Sequence, residues 1–196
     1  HLSEVIRRHA YEMVGRQEMQ NLIENLQKTH PKVVEELIPT MLSLGGVLKI
    51  CQNLLKEGIP IRDLLTILET LANNAITTKD PDALTEYVRS ALARTITHRL
   101  SQGTLEVEVI NLQPQTEETL IRSYQRTDGG AALNLDSGYF EKLITSLQKT
   151  LETVVFSSGI PVLLCHPLIR AQIKKMTERF LPGLFVLSPN EISPNG

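Results

Sequence analysis

The sequence predicts an α+β chain: an N-terminal all-helical bundle followed by a small α/β subdomain with a three- to four-stranded sheet. Three observations predict it. Up to Ile96, apolar residues recur at helical spacing with charged residues between them. Beyond Gly103, short alternating or wholly apolar runs are interleaved with helical stretches. Prolines, glycines and Asp-Pro steps punctuate both parts closely enough to leave tight connections.

The first helical stripe uses Leu2, Val5, Ile6, His9, Ala10 and Met13, with Glu4, Arg7, Arg8 and Glu12 on its other side. Gly15 interrupts it, and Leu22, Ile23 and Leu26 carry a stripe on towards Lys28. His30-Pro31 breaks that helix, because a residue before proline avoids the α region. A short segment around Val33, Val34 and Leu37 ends at Ile38-Pro39. Ser43 is the expected N-cap of a helix carrying Leu44, Val47, Leu48, Cys51, Leu54 and Leu55, and Gly58 its expected terminator. Ile61, Leu64, Leu65, Leu68 and Leu71 then form the clearest amphipathic pattern in the chain. Asp80-Pro81 supplies an N-cap and a proline at the first helical position. The helix that follows carries Leu84, Tyr87, Val88, Ala91, Leu92 and Ile96, with Glu86, Arg89 and Arg94 on its outer face; the seam between the halves is expected inside Pro81 to Ser101, where a continuous helix would make them one stiff unit.

Leu105, Val107 and Val109 alternate with Glu106 and Glu108, which predicts a strand with one wet face. Pro114 opens a helix through Leu120 and Ile121, Asp128-Gly129-Gly130 is a turn, and Ala131 to Leu135 is a short strand. Asp136 caps a long helix using Phe140, Leu143, Ile144, Leu147, Leu151 and Val154, closed by Ser157-Ser158-Gly159. Pro161 to Cys165 is a strand apolar on both faces, Pro167 starts another helix, Pro182-Gly183 ends it, and Leu184 to Leu187 is the last strand. Crossover helices between these strands predict parallel neighbours.

With 20 Lys and Arg against 22 Asp and Glu, interleaved along the 196 residues, the chain lacks the basic excess of a nucleic-acid binder. No apolar run approaches the about 20 residues of a membrane span, and Cys51 and Cys165 fit no metal or disulfide spacing, which favours a reducing compartment. The chain begins at His1 without a targeting signal and enters directly on a helical pattern, so it is expected to be a piece of a longer protein.

No glycine-rich phosphate loop or nucleophile-elbow motif is present; Gly45-Gly46 reads as close helix packing. His1, His9, His30 and His98 lack metal spacing, so no metal or other cofactor is expected. Glu106 and Glu108 share a solvated face with nothing apolar to tune an acid. Cys165-His166, at the end of a predicted central strand, is the most enzyme-like pair and supports an alternative reading as a small α/β enzyme. Adjacent strand residues point to opposite faces, however, so this thiol and imidazole are not expected to meet. No catalytic residue is therefore assigned. The charges around Arg62 and Asp63, with Glu86, Arg89 and Arg94, read either as a solvated face or as a polar subunit interface.

Several segments resemble the type III protein-export gate family, whose flagellar and injectisome branches include FlhA-, InvA- and MxiA-like members. They are His1 to Ala10 with Gly15-Arg16-Gln17-Glu18, Gln52 to Asp63, Ile67 to Ala72, Leu84 to Arg89, Pro161 to Leu164 and Val186 to Ile192, in order along the whole chain. Gly15 to Glu18 looks more flagellar; Leu84 to Arg89 and Ile121-Arg122-Ser123 with Gly129-Gly130 also look like injectisome members. The resemblance implies a non-enzymatic cytoplasmic part of a multi-pass membrane protein, at the cytoplasmic face of the bacterial inner membrane, with four subdomains. Residues 1–16 would end a preceding subdomain, 17–95 form a helical, ring-forming subdomain, and 96–196 a C-terminal α/β subdomain. It implies a homo-oligomeric ring that docks export chaperone–substrate complexes and works with an FlhB-like switch protein and the export ATPase complex. Arg62, Asp63, Glu69, Glu86 and Arg89 become candidates for the subunit interface. His1, Ser3, Glu4, Arg7 and Arg8 would lie at the edge of the chaperone and substrate groove.

Overall fold

A computed structural model of the chain describes residues 9–104 and 106–194. Residues 9–13 are helical, and Gly15 precedes α1 (Arg16–Thr29), its backbone N–H donating to the Glu18 carboxylate at 2.9 Å. The proline break gives α2 (Pro31–Leu37), followed by a cis Ile38-Pro39 bond. Next come α3 (Leu44–Lys56), α4 (Leu64–Asn74), α5 (Pro81–Ala91) and α6 (Ala93–Ser101). Ser43, Asp63 and Asp80 cap α3, α4 and α5 by accepting from Gly46, Thr66 and Asp82 backbone N–H groups. Gly58 adopts φ +73° just beyond α3, a left-handed conformation that a side chain disfavours.

The second part contains β1 (Ile110–Asn111), α7 (Pro114–Ser123), β2 (Tyr124–Thr127), β3 (Gly130–Leu133), α8 (Ser137–Thr153), β4 (Val162–Leu164), α9 (Pro167–Thr177) and β5 (Phe185–Leu187). β1, β4 and β5 form a parallel sheet in that order, with Ile110 opposite Leu163 and Leu163 opposite Val186. β2 and β3 form a separate antiparallel hairpin. The architecture is α+β, and the chain divides into two compact units, residues 1–96 and 97–196.

In the helical unit, α3 and α4 bury Val47, Ile50, Cys51, Leu54, Ile67, Leu68 and Leu71, and α5 packs on both. α1 packs on α2 and α3, and α2 on α4. The α/β unit is built on Leu120, Leu143, Leu147, Leu163, Cys165, Ile169, Ile173, Leu184 and Val186.

Three expectations change. The segment from Pro81 to Ser101 is two helices, because the backbone turns at buried Leu92. Residues 106–109 keep an alternating exposure but join no ladder; Glu108 instead accepts from the backbone N–H and hydroxyl of Ser157 at 2.6 and 3.0 Å. The strand near Ala131 pairs with Tyr124–Thr127, which the sequence pattern does not reveal, rather than joining the parallel sheet. Gly45, read as a mark of close helix packing, lies against the Arg16 guanidinium at the start of α1, where a Cβ would stand 2.9 Å from Nη2.

Candidate functional site

The loop from Glu57 to Asp63 positions the interface candidates. Ile59 is buried and pins the loop to the bundle, while Pro60 and Ile61 stay half-buried and Arg62 is exposed. Asp63 follows, and its carboxylate is engaged within the fold: it accepts from the Thr66 backbone N–H at 3.2 Å and the Thr66 hydroxyl at 2.7 Å. Glu69 is exposed on α4, and Glu86 is half-buried on α5.

Arg89 departs from the outer face expected of it. It is fully buried, and its guanidinium meets the Glu57 carboxylate at 3.3 Å. One turn earlier the Asn53 amide donates to the Thr85 hydroxyl at 3.2 Å. Together these contacts make a polar seam between α3 and α5. A buried guanidinium without an anion is costly, so the C-terminal end of α3 supplies one. His1, Ser3, Glu4, Arg7 and Arg8 lie outside the described residues. Glu12, beside them in sequence, has its carboxyl held below the usual range by hydrogen bonds from His9 and Tyr11.

Sequence reasoning missed a groove of about 520 Å³ lined by Leu22, Leu26, Leu55, Pro60, Ile61 and Arg62, among others. The stripe of Leu22, Ile23 and Leu26 reads as core, yet only Ile23 is buried; Leu22 is 39% exposed. Spacing gives no signal for it: Leu22, Ile23 and Leu26 span about 100° of the helix, the width of an ordinary packed face.

The Cys165-His166 pair takes opposite directions. The thiol is buried in the core of the α/β unit, while the exposed imidazole caps α9, its Nδ1 accepting from the Leu168 N–H at 3.1 Å. The Glu117 carboxylate accepts from the His166 backbone N–H at 3.1 Å. Among the described residues the strand order β1-β4-β5 follows chain order, without a reversal of the kind that opens a ligand crevice at strand ends. Among the described residues no three His, Cys, Asp or Glu side chains converge on a metal position. None of the described helices is long and apolar enough to cross a membrane.

The family model described as "FHIPEP family" matches residues 1–196. The flagellar biosynthesis protein FlhA of Bacillus subtilis (strain 168) is 38% identical over 195 residues, covering 100% of this chain and 29% of the relative. The chain thus spans less than a third of that relative's length. The Chlamydia pneumoniae CdsV and CdsO protein complex contains a similar fold at TM-score 0.90 and 34% identity, over 100% of this chain and 57% of that one. The nonameric EscV cytosolic domain from the type III secretion system matches at TM-score 0.81 and 34% identity, over 95% of this chain and 55% of that one.

Proposed function

The chain belongs to the FHIPEP family, and from that membership we infer that it is the ring-forming cytoplasmic part of a flagellar protein-export gate. The observation that carries this reading is the similarity to a flagellar FlhA along the entire chain, at 38% identity. On this reading the parent protein is anchored in the bacterial inner membrane, and these residues lie on its cytoplasmic side. They act as a platform rather than as an enzyme, assembling with further copies and docking export chaperone–substrate complexes. The switch protein and the export ATPase complex work beside them. A nonameric EscV cytosolic domain of the same fold supports the ring, and a CdsV structure holding CdsO supports docking of a second protein. The exposed charges Arg62 and Glu69 lie where such contacts can use them, whereas Asp63 and Arg89 are engaged within the fold.

The homologous injectisome gate is the second reading, favoured by the EscV match. Deleting the gene in its host separates the two. The flagellar reading expects loss of swimming and of secreted hook and filament proteins, restored by the wild-type gene. It also expects Arg62→Glu to restore export poorly while accumulating normally in the membrane. A deletion strain that swims but no longer secretes effectors gives the injectisome reading, and one that keeps both outputs overturns both.

A further inference from the structure

The helical unit carries an apolar groove and, on another face, an apolar knob, each accompanied by one charge of opposite sign. In the groove, Leu26, Leu55, Pro60 and Ile61 are partly exposed and Leu22 is 39% exposed, with Arg62 at the rim. Among the described residues no carboxylate pairs with Arg62. The knob is Ile76, just beyond the end of α4 and 79% exposed. Glu69 and Asn73 precede it at helical spacing on the same stripe, and both are exposed. Glu69 has no cationic partner among the described residues.

Within α4 the two surfaces use different sides of the helix. Leu64 lines the groove from the first turn of α4. At 3.6 residues per turn, Glu69 and Asn73 lie about 140° and 180° around the helix from it. A two-fold contact pairs one patch with itself, so it would leave the other patch uncovered. Head-to-tail repetition covers both, and it closes into a ring when the rotation between copies allows. Asn73 and Thr77, which flank the knob, are exposed, short and uncharged. The helix end can therefore approach a groove of about 520 Å³ without stripping water from a second charge.

We propose that in each ring contact Ile76 of one copy enters the Leu22–Leu26–Leu55–Ile61 groove of the next, with Glu69 paired to Arg62 across the joint. The proposal rests on the ring reading given above. Apolar insertion supplies the adhesion, and the flanking charge pair sets which faces meet and makes the contact salt-sensitive.

The test uses the whole chain in sedimentation velocity at low salt, with circular dichroism to verify folding. Ile76→Asp should weaken self-association at least about tenfold. Arg62→Glu and Glu69→Lys should each weaken it about tenfold, and the double reversal should return it to within about threefold of wild type. In a second experiment Leu22→Cys and Ile76→Cys proteins are mixed under mild oxidation. The expected product is the mixed disulfide dimer, because the native Cys51 and Cys165 are buried. If wild type associates while Ile76→Asp has no effect and no mixed dimer forms, the knob-in-groove contact is wrong and the ring reading stands. If Tyr87→Asp, on an exposed part of α5, abolishes association and Ile76→Asp does not, a different face fills the groove and the proposal is overturned. If wild type stays monomeric at millimolar concentration, the proposal falls together with the ring reading for this chain.

Discussion

Arg89 and Cys51 are each placed by a helical pattern and defined by what surrounds them. Arg89 reads as a solvent-facing charge because it lies among polar neighbours on α5, yet it is buried against Glu57. Cys51 is buried in α3 and contributes as a small apolar side chain. Burial alone pushes its thiol from a usual value of 9.0 up to about 12. The sign follows from the neutral form being the one the core accepts. Below pH 9 both folded and unfolded chains hold the proton, and its contribution to stability is complete. Between pH 9 and 12 the unfolded chain releases the proton first, so stability falls as pH rises. The slope approaches about 1.4 kcal/mol per pH unit for a group held fully neutral in the folded state. Urea denaturation of wild type and Cys51→Ala at about pH 8 and about pH 10.5, on either side of the free thiol's usual value, should show a steeper loss for wild type; equal slopes would remove this account.

At the scale of elements, caps decide where helices begin, and most of them are readable. Ser43, Asp80 and Asp136 occupy the cap positions their residue types suggest, and each accepts a backbone N–H from the first turn. Asp63 does the same for α4, so it is part of the fold before it is part of any interface. Asp63→Ala should cost about 1 kcal/mol of stability, Asp63→Ser much less, and Arg62→Ala less than about 0.5 kcal/mol. Urea midpoints of the three variants check the order; an Arg62 effect as large as that of Asp63→Ala would contradict it. Elements without a local marker were harder to read. The turn at Leu92 involves neither glycine nor proline, and it comes where Leu92 is drawn into the core. Period-two alternation at residues 106–109 encodes an extended backbone, but a ladder needs a neighbouring strand, and only Ile110–Asn111 has one.

At the scale of the whole molecule, contacts between distant segments close the α/β unit. The Glu191 carboxylate is buried, accepts from the Ser188 N–H at 3.0 Å and lies 3.7 Å from the Arg170 guanidinium. The Glu191 backbone carbonyl accepts from the Thr97 hydroxyl at 3.3 Å, and the Ser193 N–H donates to that hydroxyl at 2.9 Å. The segment around Glu191 is thereby tied to α6 and α9. Glu191→Ala leaves the buried guanidinium without this carboxylate and should destabilise the unit by about 3 kcal/mol. Hydrogen exchange should show protection falling across residues 97–194 while 9–96 keep theirs. Unchanged protection in 97–194 would mean that this segment is not a structural clasp.

Local sequence pattern was enough for the α+β class, most helix starts, the two buried apolar strands and, through ordered motifs along the whole length, the family. These are properties of residues a few positions apart, where periodicity and capping act. Tertiary structure alone decided that Arg89 turns inward, that the hairpin stands apart from the parallel sheet, and that Leu22 and Leu26 line a groove. Each of those outcomes depends on which distant segment supplies an anion, a strand edge or a covering side chain. Local spacing can state that such a partner is needed, but only the folded chain shows which one it is.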